Sequence, residues 1–260
     1  MKQLNFSFST KLTFDNYVHE HSFALRTMPI ESSVQHIIGC ELNISPFISV
    51  CNTTDAFGNT VTSGYIRDNH RFLDFEIKGK AEVNPESPKT DFMPCYAFQS
   101  KYTAPDKDLT EFYKGLSAEC RGTSAFDRTE YFSDRLSDTI EYSKGVTDTK
   151  TTAADAFALK KGVCQDFSHI MLSLLRADGI PCRYIAGLAC CDGETHSWIE
   201  FWDGGKWVGF DPANNCPVNE DYLVLSQGRD FGDCAIDRGV MFGEYTKQLQ
   251  LITSHLASAY

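Results

Sequence analysis

The period of the hydrophobic pattern changes near residue 85, and this change constrains the fold more than any other feature of the sequence. Before it, residues 4–8, 47–51 and 72–77 alternate apolar and polar side chains, the period-2 pattern typical of half-buried strands. Residues 55–59 lie between such runs and have the composition of a turn. Short strands separated by turns predict a β-sandwich-like N-terminal domain.

After residue 85 the pattern becomes helical. The polar segment 84–89 contains two prolines and predicts a domain boundary. Residues 164–178 then place apolar side chains on one helical face, with Gly179 and Pro181 as the stop signal. Strand-like runs follow at 183–188, 196–202 and 206–210. Helices followed by antiparallel strands predict an α+β domain, so we expect domains at residues 1–88 and 89–260.

The composition narrows the possible partners. A net charge of −11 and an estimated pI of about 5.1 disfavour nucleic acids and anionic membranes as partners. The sequence shows no apolar run long enough to be an export signal or a membrane span, which predicts a cytoplasmic protein. Ten cysteines without any C-x-x-C pair predict reduced thiols, and neither a metal nor a cofactor is expected. The sequence does not indicate an oligomeric state.

Cys164 is the first candidate for chemistry. It stands where the predicted helix begins, and Phe167 starts the buried face three residues later. A thiol at a helix N-terminus meets unpaired N–H groups and the positive end of the helix dipole, which both favour the reactive thiolate. The same N–H groups can hold a developing oxyanion. On its own, however, one cysteine at a helix start is more often a packing residue.

A downstream hairpin supplies a histidine and an aspartate. Two strand-like runs flank Asp203-Gly204, a dipeptide favoured in two-residue hairpin turns. With that turn, His196 lies directly opposite Asp211, close enough for the carboxylate to orient the imidazole. A turn at Gly204-Gly205 would instead pair His196 with Ala213 and is expected to break this geometry. Read alone, such a pair is more often a stabilising contact in a hairpin.

Four sequence segments carry a family resemblance. They are GVCQDFSH (162–169), RADGIPCRY (176–184), THSW (195–198) and GFDPAN (209–214). Together they resemble the nucleophile, helix-exit, histidine and aspartate motifs of the transglutaminase-like superfamily. The bacterial branch of this superfamily is also similar to the chain at two further segments, the first 85 residues and residues 228–230. The resemblance implies a papain-like cysteine-hydrolase core.

The resemblance also implies a mechanism. Cys164 would attack an amide or peptide carbonyl and form a thioester, His196 would act as base and acid, and Asp211 would orient His196. A second oxyanion donor is expected upstream, with Gln99 and Tyr102 as candidates. The implied function is a cysteine protease or amide hydrolase acting on a peptide or protein substrate. Acyl transfer to amines and a non-catalytic binding module are the alternatives.

Three other polar features are expected to be structural. Asp166 lies in the first turn of the predicted helix, where an acidic residue stabilises the dipole. His169 lies well off the face that carries Cys164 and is a poor base for it. His19 and His21 are predicted to share one strand face, but two histidines alone are a weak metal signal.

Overall fold

The computed structural model describes residues 1–86, 88–121, 124–190 and 193–259. Strands β1 to β14 comprise, in chain order, Lys2–Leu25, Gln35–Ser45, Val50–Thr54, Thr60–Ile66, His70–Val83, Glu141–Tyr142, Lys161–Gly162, Cys182–Ala189, His196–Asp203, Lys206–Asp211, Cys216–Pro217, Tyr222–Gly228, Asp237–Gly243 and Gln248–Ser258. Helices α1 to α5 comprise Lys107–Glu119, Ala125–Thr139, Ala153–Leu159, Cys164–Ala177 and Phe231–Cys234. Among these described residues, no helix combines the length and apolar character that a membrane crossing requires.

The N-terminal strands form a seven-stranded sheet built around β1. Its order is β2-β5-β1-β4-β3, and β13 and β14 also pair with β1. The alternation in β1 buries Leu4, Phe6 and Phe8. The first part of β1 lies between β5 and β14, and the later part lies between β4 and β13. The β-rich N-terminal region is therefore confirmed, although its strands form one sheet continued through β1 rather than two separate ones.

The C-terminal strands return to this N-terminal sheet. Strands β13 and β14 pair antiparallel with β1, so the segment after residue 236 does not lie in the same sheet as the rest of residues 89–260. The prediction of domains at residues 1–88 and 89–260 did not foresee that β13 and β14 pair with β1. Pairing between the two ends of a chain leaves no local pattern in the sequence. Strand β14 also contacts the segment between β8 and β9, since Ser254 exchanges two backbone hydrogen bonds with Gly193.

The second part of the structure is built around helix α4. It combines helices with a separate antiparallel sheet, which confirms the α+β class. The α4 residues Phe167, Ile170, Met171, Leu174 and Leu175 are almost completely buried. The helix packs against β8 and β9 on one side and against α2 and α3 on the other. Strands β8 and β9 belong to a five-stranded sheet with the order β11-β10-β9-β8-β12. The N-terminus of α4 is thereby fixed beside the start of β9.

The register of the β9–β10 hairpin differs from the predicted one. Asp203 pairs with Lys206, so the turn residues are Gly204 and Gly205, with φ of 57° and 94°. A type I′ turn requires positive φ at both central residues, and two glycines meet this requirement at lower cost than Asp203 followed by Gly204. The prediction from the Asp-Gly dipeptide was therefore wrong. The Gly204-Gly205 turn was expected to separate His196 from Asp211, but the two side chains remain in contact.

Candidate active site

Cys164 is the first residue of α4. Val163 precedes it in an extended conformation, so the chain turns into the helix at the cysteine. Burial raises the pKa of the Cys164 thiol, but hydrogen bonding and charge from His196, with smaller contributions from Ser197, outweigh burial and leave the pKa lowered. The thiol thus lies within the electrostatic influence of the imidazole and at a helix N-terminus, where negative charge is stabilised.

His196 and Asp211 are in direct contact. The distance from His196 Nε2 to Asp211 Oδ2 is 2.6 Å, which leaves Nδ1 as the ring nitrogen for Cys164. The observed register makes the two residues diagonal neighbours rather than opposite partners. A shift of two positions keeps a side chain on the same face of a sheet, and diagonal neighbours remain within reach of long side chains. The contact therefore survives the altered turn.

Asp211 is held in place by several donors. Its side chain is completely buried, and Oδ1 accepts the backbone N–H groups of Ala213 at 3.0 Å and Asn214 at 3.1 Å. Oδ2 also accepts the Asn214 side-chain amide at 2.7 Å and the Tyr222 hydroxyl at 2.9 Å. Burial raises the pKa of Asp211, but His196, Asn214 and Tyr222 lower it further than burial raises it. The carboxylate is thus kept ionised and fixed in orientation.

The environment of His196 favours the imidazolium. Burial lowers its pKa, but hydrogen bonds to Asp211 and Cys164 and their charges raise it to about 10. The lowered pKa of Cys164 and the raised pKa of His196 stabilise a thiolate–imidazolium pair at neutral pH. Such a pair combines an activated nucleophile with a proton donor for a leaving group.

The two predicted oxyanion donors lie elsewhere. Gln99 Nε2 donates to the Ser173 carbonyl at 2.9 Å, roughly 14 Å along the helix axis from Cys164 at 1.5 Å per residue. The Tyr102 ring stacks on His169 at 5.2 Å and contacts Phe231. Gln99 thus contacts the last part of α4 and Tyr102 stacks on its middle. The prediction failed because the approach of the segment 96–102 to α4 is set by tertiary packing.

Two protein families match the sequence. Residues 110–212, which include Cys164, His196 and Asp211, match the model of the transglutaminase-like superfamily, and residues 4–82 match that of the bacterial transglutaminase-like N-terminal region. This chain carries a transglutaminase-like core. A solved structure from Cytophaga hutchinsonii, named a "putative cysteine protease", has the same fold, with a TM-score of 0.79. The two sequences are 21% identical, and the match covers 99% of this chain and 91% of the Cytophaga chain.

Two mycobacterial relatives are also similar to the chain. Uncharacterized protein ML0607 of Mycobacterium leprae is 34% identical over 123 residues, which cover 44% of this chain and 44% of that protein. Uncharacterized protein Rv2569c of Mycobacterium tuberculosis is 25% identical over 249 residues, which cover 82% of this chain and 79% of that protein. The first match thus spans less than half of the relative's length.

The neighbours of Cys164 in the transglutaminase-like core include one residue that the sequence patterns missed. Tyr142 belongs to β6, which pairs in parallel with β7 just before the cysteine. Two strands of two residues each are too short to produce a detectable period. The only local signal for Tyr142 was its aromatic type.

Asp166 and His169 have the structural roles predicted for them. Asp166 Oδ2 accepts the backbone N–H of Val163 at 2.8 Å and caps α4. Burial, the largest cause, lowers the pKa of His169 to about 3, and its Nε2 accepts the N–H of Phe231 at 3.1 Å. A neutral, buried imidazole with these contacts stabilises the transglutaminase-like core and does not act on Cys164.

His19 and His21 do not share a strand face, so that prediction was wrong. Glu20 between them has a φ of 49°, and the pairing of β1 with β13 shifts register there. His19 stacks on Phe242, whereas His21 Nδ1 lies 3.0 Å from Nε2 of His70. Within the described ranges, no group of three or more His, Cys, Asp or Glu side chains is arranged to hold a metal ion.

Alkylation of Cys164 by iodoacetamide is expected to be faster at neutral pH than alkylation of an ordinary thiol and to rise less with pH. The lowered pKa of Cys164 supplies thiolate below the ordinary thiol pKa of 9.0, and the imidazolium persists until its own pKa of about 10. Burial raises the pKa of Cys40 to about 11, so its labelling should rise steeply with pH. Peptide mapping by mass spectrometry measures both rates. In His196→Gln the Cys164 profile should shift to higher pH, and an unchanged profile would contradict the ion pair.

Proposed function

We propose that this chain is a cysteine-dependent amide or peptide hydrolase that acts through a Cys164–His196–Asp211 triad. One observation carries the proposal. Hydrogen bonding and charge from the His196 imidazole lower the pKa of the thiol at the start of α4, and the far ring nitrogen lies 2.6 Å from a completely buried carboxylate. A hairpin contact that served only stability would not need a cysteine with a lowered pKa beside it.

The proposed reaction has two halves. In the first, the Cys164 thiolate adds to the carbonyl carbon, and the carbonyl electron pair moves to oxygen. The C–N bond of the resulting tetrahedral intermediate breaks as His196 gives its proton to the leaving amine, which leaves a thioester on Cys164. In the second, neutral His196 takes a proton from water, the hydroxide adds to the thioester, and the thiolate leaves with a carboxylic acid as the product.

Asp211 contributes orientation and charge. It fixes the ring so that Nδ1 faces the sulfur, and its negative charge stabilises the imidazolium. The substrate is proposed to be a peptide or a protein. Acyl transfer to an amine shares the first half of the reaction. It differs only in the second half, where an amine instead of water accepts the acyl group of the thioester.

A peptide digest in ¹⁸O-labelled water with an added biotinylated primary amine tests the proposal. Hydrolysis is expected to place ¹⁸O in new carboxyl groups, at a rate that Cys164→Ala removes. Efficient biotin incorporation with little ¹⁸O would show that an amine is the main acceptor. If neither product exceeds that of Cys164→Ala with a range of denatured proteins, the enzymatic proposal is overturned in favour of a binding module.

A further inference from the structure

The segment that leads into β9 is hydrogen-bonded to the last strand of the N-terminal sheet. The backbone N–H of Ser254 on β14 donates to the Gly193 carbonyl at 2.7 Å, and the Ser254 carbonyl accepts the Gly193 N–H at 3.2 Å. The Ser254 hydroxyl adds a third hydrogen bond, which it donates to the Glu194 carbonyl at 2.9 Å. Ser254 is buried. Two consecutive residues shortly before His196 are therefore held by one buried serine.

The main chain at His196 is paired with a neighbouring strand on one side only. His196 is the first residue of β9, and its pairing with Gly187 is the last in the ladder between β8 and β9. On the other side, the ladder with β10 ends at Ile199, three residues further along β9. The end of a strand opens more readily than its middle, because fewer hydrogen bonds hold it. The three hydrogen bonds to Ser254 restrain the chain just before this end.

Gly193 has the backbone conformation that this contact uses. Its φ is 148°, a value that residues with a side chain rarely adopt. A methyl group at Gly193 would have no atom of the described residues within 4 Å, apart from its chain neighbours. Glycine is thus required here by the backbone conformation and not by lack of space. The substitution Gly193→Ala would strain the backbone at the contact with Ser254 without a steric clash.

We propose that Ser254 is a positioning residue for the reaction at Cys164, because it holds the start of β9 and thereby the place of His196. This role rests on the proposed cysteine chemistry. His196 must present one ring nitrogen to the thiol while the other stays 2.6 Å from Asp211. A displacement of about 1 Å in such a constellation can cost about 100-fold in rate. The N-terminal sheet thus contributes to the active site through β14, although Ser254 itself does not touch the substrate.

Ser254→Ala tests this role by removing only the hydroxyl. Acylation of Cys164 by p-nitrophenyl acetate is expected to slow by about 5-fold, the effect of losing one hydrogen bond. The pH profile of Cys164 alkylation by iodoacetamide should also shift to higher pH, since a displaced His196 lowers the pKa of the thiol less. Ser254→Thr retains a hydroxyl and should keep both the wild-type rate and the wild-type profile. Gly193→Ala should slow acylation by about 10-fold, because it strains the backbone of the same contact.

Thr253→Val is the matched control, because it removes a hydroxyl from the neighbouring position of β14 whose oxygen lies 2.6 Å from that of Ser9 on β1. This variant should keep the wild-type acylation rate and pH profile. If Thr253→Val and Ser254→Ala slow acylation equally, the effect is one of general stability and the positioning role is overturned. It is also overturned if wild-type Cys164 is acylated and Ser254→Ala matches it in rate and profile. Failure of the proposed function itself appears differently, since wild-type Cys164 would then not be acylated, and the role of Ser254 would fall with it.

Discussion

Replacing Cys164 with alanine is expected to abolish hydrolysis and to leave the free energy of unfolding nearly unchanged. The sulfur is the only atom in the proposed triad that bonds to the substrate, and loss of the nucleophile in a comparable triad costs at least about 10⁴-fold in rate. The side chain lies at a helix start and is only partly buried, so its removal creates little cavity. Steady-state hydrolysis and chemical denaturation measure the two effects.

Cys51→Ala is the control for this experiment. Cys51 is exposed on β3, an edge strand of the N-terminal sheet, and its loss should change neither activity nor stability. Hydrolysis that persists in Cys164→Ala at more than a trace of the wild-type rate would mean that another group is the nucleophile. Loss of activity in both variants would point to a general effect on the protein.

Replacing Glu200 with glutamine is expected to destabilise the fold by about 3 kcal/mol, because it leaves the buried Lys89 without its carboxylate and leaves Arg183 with only the exposed Asp91. Glu200 Oε1 lies 2.6 Å from Lys89 Nζ, and its Oε2 accepts Arg183 Nε at 2.8 Å. Side-chain exposures of these three groups are 8% or less. Burial raises the pKa of Glu200, but Lys89 and Arg183 overcome this and lower the pKa to about 2.

This ion cluster also contacts the β9–β10 hairpin, which carries His196 and Asp211. Glu200 lies on β9, four residues after His196, and the Lys89 carbonyl accepts the backbone N–H of Trp207 on β10 at 2.9 Å. The Asp91 carbonyl accepts the Trp207 indole N–H at 3.0 Å. Segment 89–91 is thus hydrogen-bonded to Trp207 of β10, and we expect Glu200→Gln to lower activity as well as stability.

Glu76→Gln provides the comparison. Glu76 lies 2.9 Å from Lys78, but both side chains are well exposed, so its replacement should cost at most about 0.5 kcal/mol. Urea denaturation of both variants measures the difference. Equal, small effects would contradict a tightly coupled buried cluster.

Local patterns were sufficient to predict most of the fold. The alternation in β1 and the helical period around α4 are strong because each element buries one face along many residues. Cys164 at the start of α4 followed from the same pattern, since the buried face begins at Phe167. The capping role of Asp166 also followed from sequence position alone.

Non-local pairing explains what the sequence did not predict. The segment 84–89 was predicted as a polar boundary, yet its Lys89 is buried against Glu200, a partner 111 residues away. Gln99 and Tyr102 were chosen for their place upstream of the cysteine, whereas tertiary packing places them on Ser173 and His169 of α4. The turn residues were wrong by one position, but period-2 geometry kept His196 and Asp211 on the same face.

The most direct test of the proposed mechanism is to map where the wild-type protein becomes acylated. A brief reaction with p-nitrophenyl acetate, quenched in acid and analysed by peptide mapping, locates the acetyl group. We predict a single hydroxylamine-sensitive thioester on Cys164 that forms much more slowly in His196→Gln. Acetyl groups spread over several cysteines or lysines at similar rates, with Cys164 not preferred, would contradict its assignment as the nucleophile.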